Sequence, residues 1–326
     1  MVRAIGVLRQ CKTSPKLKIQ APRLVTIIPI REAPRNDTAM DPSGSIATMH
    51  AVSGYPLTCC LAVLVAAFPA DDAAVGRAAA RVRQVVAHRG SSADRPECTL
   101  AAISRAIEVK ATAVEVDVRR SRDRRLVILH DTTLDRTTNG SGAVGKRTLA
   151  ELRKLDAGSW FDAKYRDQRI PTLREVLQLA GDRVDVLLDL KEQGDDYDRQ
   201  VVGEVRRSGR PKRIIVGVRS VAQARRFRRL LPEARQLGLI PAPESIEAFA
   251  AAGVETIRLW PKWIKQDARL VARVRATDAR LHLNGTTGRA DEVRRLLEHR
   301  PDSLSSDDPG RLVMTLRRLK HPSRTP

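Results

Sequence analysis

Val114-Glu115-Val116-Asp117-Val118, and after it Leu126-Val127-Ile128-Leu129-His130, are the stretches from which the fold can be read. Alternate residues of a strand share a face, so Glu115 and Asp117 point one way and the three valines the other. Two carboxylates side by side repel, and a hard cation such as Mg²⁺ or Ca²⁺ relieves that repulsion. Residues 119–125 are too few for the crossover that a parallel neighbour needs, so the second run folds back antiparallel. A turn centred on Arg122-Asp123 then sets His130 opposite Glu115.

Outward from this hairpin, short β-branched runs alternate with arginine-rich amphipathic stretches. Strands are predicted at 85–87, 114–118, 184–190, 213–217, 235–240, 255–260, 280–284 and 303–306. Helices fit between them at Thr99 to Lys110, Tyr197 to Arg207, Val221 to Leu231 and Ala290 to Arg300. Eight strands with helical crossovers argue an α/β (β/α)₈ TIM barrel over 84–320, with a hairpin arm and an insertion after the second strand. An open doubly wound sheet is the alternative, but no glycine-rich phosphate turn follows the first strand. The insertion, 131–175, is rich in Thr, Gly and Asp and carries Trp160-Phe161; at a barrel mouth such a length implies a functional loop.

Residues 1–83 read as an irregular leader. Within it, Leu57 to Phe68 is too short to span a bilayer but matches the apolar region of a signal peptide over 49–70, with Val65-Ala66-Ala67 as a cleavage site. Export to a periplasmic or extracellular space is therefore expected, with a cytoplasmic location as the alternative. Cys11, Cys59, Cys60 and Cys98 provide neither a disulfide framework nor a zinc spacing. The net charge is +21, carried mainly by arginines scattered along helices. A nucleic-acid binder concentrates such charge and interleaves aromatics, which make up 3% here, so no nucleic-acid partner is expected. The charge does favour anionic substrates and transient contact with a membrane surface. It sets no oligomeric state.

Barrel chemistry collects where strands end, and the strand ends here carry reactive groups. His88-Arg89-Gly90 closes the first strand with a candidate base, a phosphate clamp and a residue free to turn. Glu115 and Asp117 face inward, where charge is costly unless paired or metal-bound. Asp189 and Lys191 share an inward face too, supplying a third oxygen ligand and a cation for phosphate oxygens. Glu97, just before the helix that Thr99 caps, is a loop hydrogen-bond partner, or else orients His88 or completes the metal shell. His282 and Asn284 share a face of the seventh strand as lining residues without chemistry.

The stretches VVAHRG, RPECTLAAISRAI, AVEVDVRRSRDRRLVILHD, LDRTTNGSG, LAELRKLDAGSWF, RIPTLREVL, LLDLK and SLSSDDP run in order from about residue 84 to 309, and together they resemble the glycerophosphodiester phosphodiesterase family. The resemblance implies a TIM barrel that hydrolyses small glycerophosphodiesters to glycerol 3-phosphate and an alcohol with a divalent cation. It further implies that His88 and His130 are the acid–base pair, Glu115, Asp117 and Asp189 the metal ligands, Arg89 and Lys191 phosphate contacts, and Glu97 a site-lining carboxylate. The chain departs from the family pattern with Cys98 in place of a common Asn, Asp189 in place of a usual Glu, and no tryptophan from Leu281 to Asn284.

Two other readings compete. A lysophospholipase D-like enzyme would use the same residues and hold an acyl chain against Trp160 and Phe161. A non-catalytic basic module would bind anionic lipid or polymer, with affinity that falls steeply with salt.

Overall fold

The computed structural model describes residues 72–321. Nine strands are formed: β1 (Gln84–Ala87), β2 (Ala113–Arg120), β3 (Leu126–Ile128), β4 (Asp185–Leu190), β5 (Ile214–Val218), β6 (Arg235–Gly238), β7 (Thr256–Leu259), β8 (Arg280–Thr286) and β9 (Ser303–Ser306). All but β3 pair in parallel, and the ring β1-β2-β4-β5-β6-β7-β8-β9 closes through the β1–β9 ladder. The expected eight-stranded barrel with its hairpin arm is what forms.

Strand parity divides the core. Val114, Val116 and Val118 join the large cluster between the sheet and the surrounding helices, while Val86, Ala113, Leu187, Ile215, Leu237 and Leu239 fill the barrel interior. Each interior position, advanced by two residues, reaches the mouth. Val86 leads to His88, Ala113 to Glu115 and Asp117, and Leu187 to Asp189 and Lys191. The strand register makes these side chains neighbours. Asp117 pairs with Asp189, and Ala87 with Val114, which brings His88 level with Glu115.

β1 leaves the ladder after Ala87, and β2 runs on to Arg120. The arm β3 pairs with this overhang, Val118 against Ile128 and Arg120 against Leu126. The pairing centres the turn on Asp123, one half-step beyond the expected Arg122-Asp123, so His130 falls level with Val116 rather than Glu115. The cause is a three-residue loop. Ser121 and Arg125 bond across it, and Arg124 takes a left-handed conformation with φ 59°. His130 lies past the end of β3, where the Arg119 guanidinium donates to its carbonyl oxygen at 2.6 Å and fixes the chain.

Helix boundaries follow the capping chemistry. Thr99 caps the helix Leu100–Glu108 by accepting from the Ala102 amide, and Thr172 with Glu175 forms a capping box at Leu173–Ala180. The insertion builds a small core of its own around Val127, Leu134, Leu152 and Ile170, which holds the arm in place.

A second expectation, on the leader, is also corrected. Residues 72–81, assigned to the irregular leader, form a helix that buries Ala78 and Ala79 and packs on the last helix, Pro309–Lys320. Small residues at that contact let the two backbones approach. The signal peptide assigned to 49–70 lies outside the described residues. Among the described residues no helix is long and apolar enough to cross a membrane.

Candidate active site

The strand ends converge on a cavity of 350 Å³ at the barrel mouth, lined by His88, Glu115, His130, Asp189 and Lys191 among others. Arg89 lines it too, so six of the eight site residues expected from sequence share one pocket. Glu115, Asp117 and Asp189 each offer a carboxylate oxygen within 4.8 Å of the others'. Asp117 sits just behind the lining, 1% exposed. Burial, and after it the charge of Asp117, pushes the Glu115 carboxyl far above the usual carboxylate range. An all-oxygen donor set of three converging carboxylates, one of them pushed up by burial and by its neighbour's charge, fits a hard divalent cation.

Each histidine is oriented by its own aspartate. His88 Nδ1 donates to Asp307 Oδ1 at 2.7 Å, and His130 Nδ1 lies 2.8 Å from Asp131 Oδ1. Because a carboxylate only accepts, the bound Nδ1 of each ring carries the hydrogen, and Nε2 is left for proton exchange. Burial works against the His88 cation, but the Asp307 hydrogen bond and the Glu115 charge outweigh it, and the pKa stands above its ordinary value.

Glu97 neither touches His88 nor joins the acidic triad. Arg136 grips it with two bonds of 2.8 and 2.7 Å and also holds Asp131 at 2.6 Å, while Arg89 donates to it at 3.1 Å. These paired guanidiniums outweigh burial and keep the Glu97 carboxyl below its ordinary range. Glu97 therefore ties the His130 loop to the His88 loop. Arg89 itself has φ 56°; its amide donates to Glu115 Oε2 at 2.8 Å, and Gly90 turns the chain with φ 84°.

Lys191 bridges Asp117 and Asp189 at 2.8 Å each. Arg219, two positions beyond Gly217 on the inward face of β5, clasps both oxygens of Asp189 at 2.6 and 2.7 Å. Cys98, in place of the common Asn, has φ 60° and sets Sγ 3.4 Å from Asp117 Oδ2, so a thiol supplies the hydrogen bond to that carboxylate.

On the far wall, Arg258 stacks over Trp260, 4.3 Å from the ring centre, and both line the cavity. Burial first, and the Arg219 charge next, pull Arg258 down to about 10. His282 is buried and pulled down to about 4 by that burial, hence neutral. Its Nε2 donates to Asn284 Oδ1 at 2.6 Å and its Nδ1 accepts from Ser303 Oγ at 2.7 Å. The lining role expected for both residues holds. Trp160 and Phe161 instead pack edge to face and do not line this cavity. The aromatic wall needed for an acyl chain is absent from where it was expected.

Asp131, Asp307, Arg136, Arg219, Arg258 and Trp260 were not singled out from sequence. Parity extended past each strand end finds several of them. Asp307 follows Ser303 and Ser305, Arg219 follows Ile215 and Gly217, and Trp260 follows Thr256 and Arg258. Asp131 and Arg136 belong to the insertion, where no period applies.

The model of the glycerophosphoryl diester phosphodiesterase family matches residues 88–311, the span that holds all of these groups. The chain belongs to that family. A glycerophosphodiester phosphodiesterase from Caldanaerobacter subterraneus subsp. tengcongensis is 32% identical over 240 residues, covering 72% of this chain and 98% of the relative. One from Bacillus subtilis is 41% identical over 114 residues, 32% of this chain and 39% of its own length. Among solved structures, a glycerophosphodiester phosphodiesterase from Agrobacterium tumefaciens superimposes with TM-score 0.63 at 27% identity, over 71% of this chain and 99% of that one. An Oleispira antarctica phosphodiesterase in complex with the product sn-glycerol-3-phosphate gives TM-score 0.63 at 25% identity, over 74% and 99%. The chain is a phosphoric diester hydrolase with glycerophosphodiester phosphodiesterase activity on a small-molecule substrate. The reading as a non-catalytic basic module is thereby set aside.

Proposed function

We propose that this phosphodiesterase cleaves glycerophosphodiesters to glycerol 3-phosphate and an alcohol by paired-histidine acid–base catalysis, with a divalent cation held by Glu115, Asp117 and Asp189. The observation that carries the reading is the meeting of His88, His130 and these carboxylates at one cavity. When bound, the cation, Mg²⁺ or Ca²⁺, supplies Lewis-acid polarisation of a phosphate oxygen.

The chain's own groups do the rest. Lys191 and Arg89 face the phosphate with positive charge that offsets the negative charge growing on its oxygens. One histidine removes a proton from the attacking hydroxyl, and the other returns one to the departing alkoxide. Asp307 and Asp131 keep each ring in the tautomer that this exchange requires. The attacker is the glycerol 2-hydroxyl of the substrate, and water opens the resulting cyclic phosphate.

Chelation should abolish hydrolysis of glycerophosphoglycerol, and added Mg²⁺ or Ca²⁺ should restore it. His88→Ala and His130→Ala should each lower kcat about 10²–10⁴-fold with little change in melting temperature. Chelator-resistant turnover, or near-normal turnover in either variant, refutes the scheme. Export is part of the same reading, supported by the apolar run Leu57 to Phe68 with Val65-Ala66-Ala67 near its end. The mature protein from the producing cell should begin shortly after Ala67; a cell-associated chain that starts at Met1 or Met49 refutes it.

A further inference from the structure

The cations of the cavity are not equivalent. Arg89 is paired with Glu97, Lys191 with Asp117 and Asp189, and Arg219 with Asp189. Arg258 has no carboxylate partner among the described residues. Its Nε is buried without a hydrogen bond, and its remaining polar contact is a 3.5 Å approach of Nη2 to the Ile240 carbonyl. A guanidinium desolvated to this degree and left unpaired is costly unless something anionic joins it.

Its place in the ring says which part of a substrate it meets. β7 stands four strands from β2 in either direction, so Arg258 and Trp260 face Glu115 and Asp117 from the opposite wall, with Asp189 on β4 three strands away. Stacking on Trp260 and the Ile240 contact hold the guanidinium on the β6–β7 side. The phosphorus must lie near His88, His130 and Lys191. A substituent of that phosphorus is therefore what reaches Arg258. Glycerol is an uncharged polyol and gives an unpaired cation little, whereas a carboxylate or phosphate gives a charge-assisted, bidentate pair. The Trp260 face is the natural platform for a choline or ethanolamine ammonium, but Arg258 already covers it. Gly285 lines the same cavity with open space at its α-carbon, so the wall has room for a group larger than a methylene.

We propose that Arg258, backed by Trp260, is a specificity-determining residue that selects glycerophosphodiesters whose alcohol carries an anionic group, a carboxylate or a second phosphate, over those whose alcohol carries an ammonium. The inference rests on the phosphodiesterase reading above and names the substrate class of the same site.

The test compares kcat/KM on bis(glycerophospho)glycerol and a glycerophosphoglycolate, as phosphate and carboxylate probes, with neutral glycerophosphoglycerol and with glycerophosphocholine. Both anionic probes, or one of them, should exceed glycerophosphocholine about tenfold or more, the value of one good charge-assisted contact. Which of the two leads assigns the source of the anion. In Arg258→Met the anionic-to-neutral ratio should fall about tenfold, mostly through KM. Arg258→Lys, which keeps the charge without the planar fork, should recover part of that ratio. Glycerophosphocholine turned over as well as the anionic probes overturns the proposal. So does an Arg258→Met loss that is equal for every substrate, which would mark a structural or general phosphate role. Wild-type hydrolysis of none of the four diesters would instead refute the phosphodiesterase reading itself.

Discussion

Replacing Asp307 by Asn tests whether His88 works as a proton-transfer group positioned by its neighbour. Asp307 Oδ1 accepts from His88 Nδ1 at 2.7 Å and from the Ser92 hydroxyl at 3.1 Å. An Asn keeps the shape but loses the negative charge that favours the imidazolium. A hydrogen bond to a charged group contributes about 1.5–3 kcal/mol, but Asp307 is 63% exposed, so solvent screening places the effect near the lower end. About 1.5–2 kcal/mol in the barrier is roughly a 10- to 30-fold loss in kcat. The wild-type His88 pKa is raised, with the Asp307 hydrogen bond as the foremost raising influence, so its removal must move the His88 limb of the pH–rate profile to lower pH. The melting temperature at neutral pH should barely change, since no buried contact is lost. The decisive assay is a double-mutant cycle on a neutral glycerophosphodiester. If Asp307 acts through His88, adding Asp307→Asn to His88→Ala costs nothing further. A full extra 10-fold loss in the His88→Ala background, or an unshifted profile in Asp307→Asn, refutes the positioning role.

Three further outcomes follow from packing and charge. Gly90→Ala would set a Cβ 2.6 Å from the Ala102 Cβ at φ 84°, so a loss of about 3 kcal/mol, roughly 10 °C in Tm, is expected; a change under about 2 °C in calorimetry contradicts it. Arg226→Met strands the fully buried Asp198 carboxylate, which Gln223 alone then serves, and should cost about 3 kcal/mol in urea unfolding; Asp198→Asn added to it should restore part of that loss. Arg136 holds Glu97 and Asp131 below their ordinary ranges, and a depressed carboxyl contributes stability that is present above its unfolded pKa and lost as pH falls through the folded one. The Tm of the wild type should therefore drop more steeply below about pH 5 than that of Arg136→Met, and parallel curves would disprove the network.

The barrel was legible because its strands are short, β-branched and separated by helices with identifiable caps. Parity needs no knowledge of the partner strand, so the inward set Glu115, Asp117, Asp189 and Lys191 could be assigned from period alone. Register was not legible to the same degree. A loop whose third residue, Arg124, adopts φ 59° cannot be told from a two-residue turn when no glycine marks it, and the pairing slipped by one. The helix at 72–81 was missed for a related reason: its contact rests on Ala78 and Ala79, which leave a faint apolar stripe beside a leader rich in small residues.

What sequence left hidden is chiefly the charge balance of the site, since ion pairs across a barrel join residues far apart in the chain. His88 meets Asp307, Asp189 meets Arg219, and Glu97 meets Arg136 only because the ring closes and the insertion folds back. These pairings change the meaning of the strand-end cations. Lys191 and Arg219 pair with Asp189, and Arg89 is shared between Glu97 and the backbone grip on Glu115, so each of these cations on the triad side of the cavity already has a carboxylate partner. The one unclaimed guanidinium among the described lining residues stands on the opposite wall. A substrate that places a second negative charge there gains from it without disturbing the acidic triad. The two walls thus divide the labour, with chemistry on the side of β1, β2 and β4 and discrimination on the side of β7.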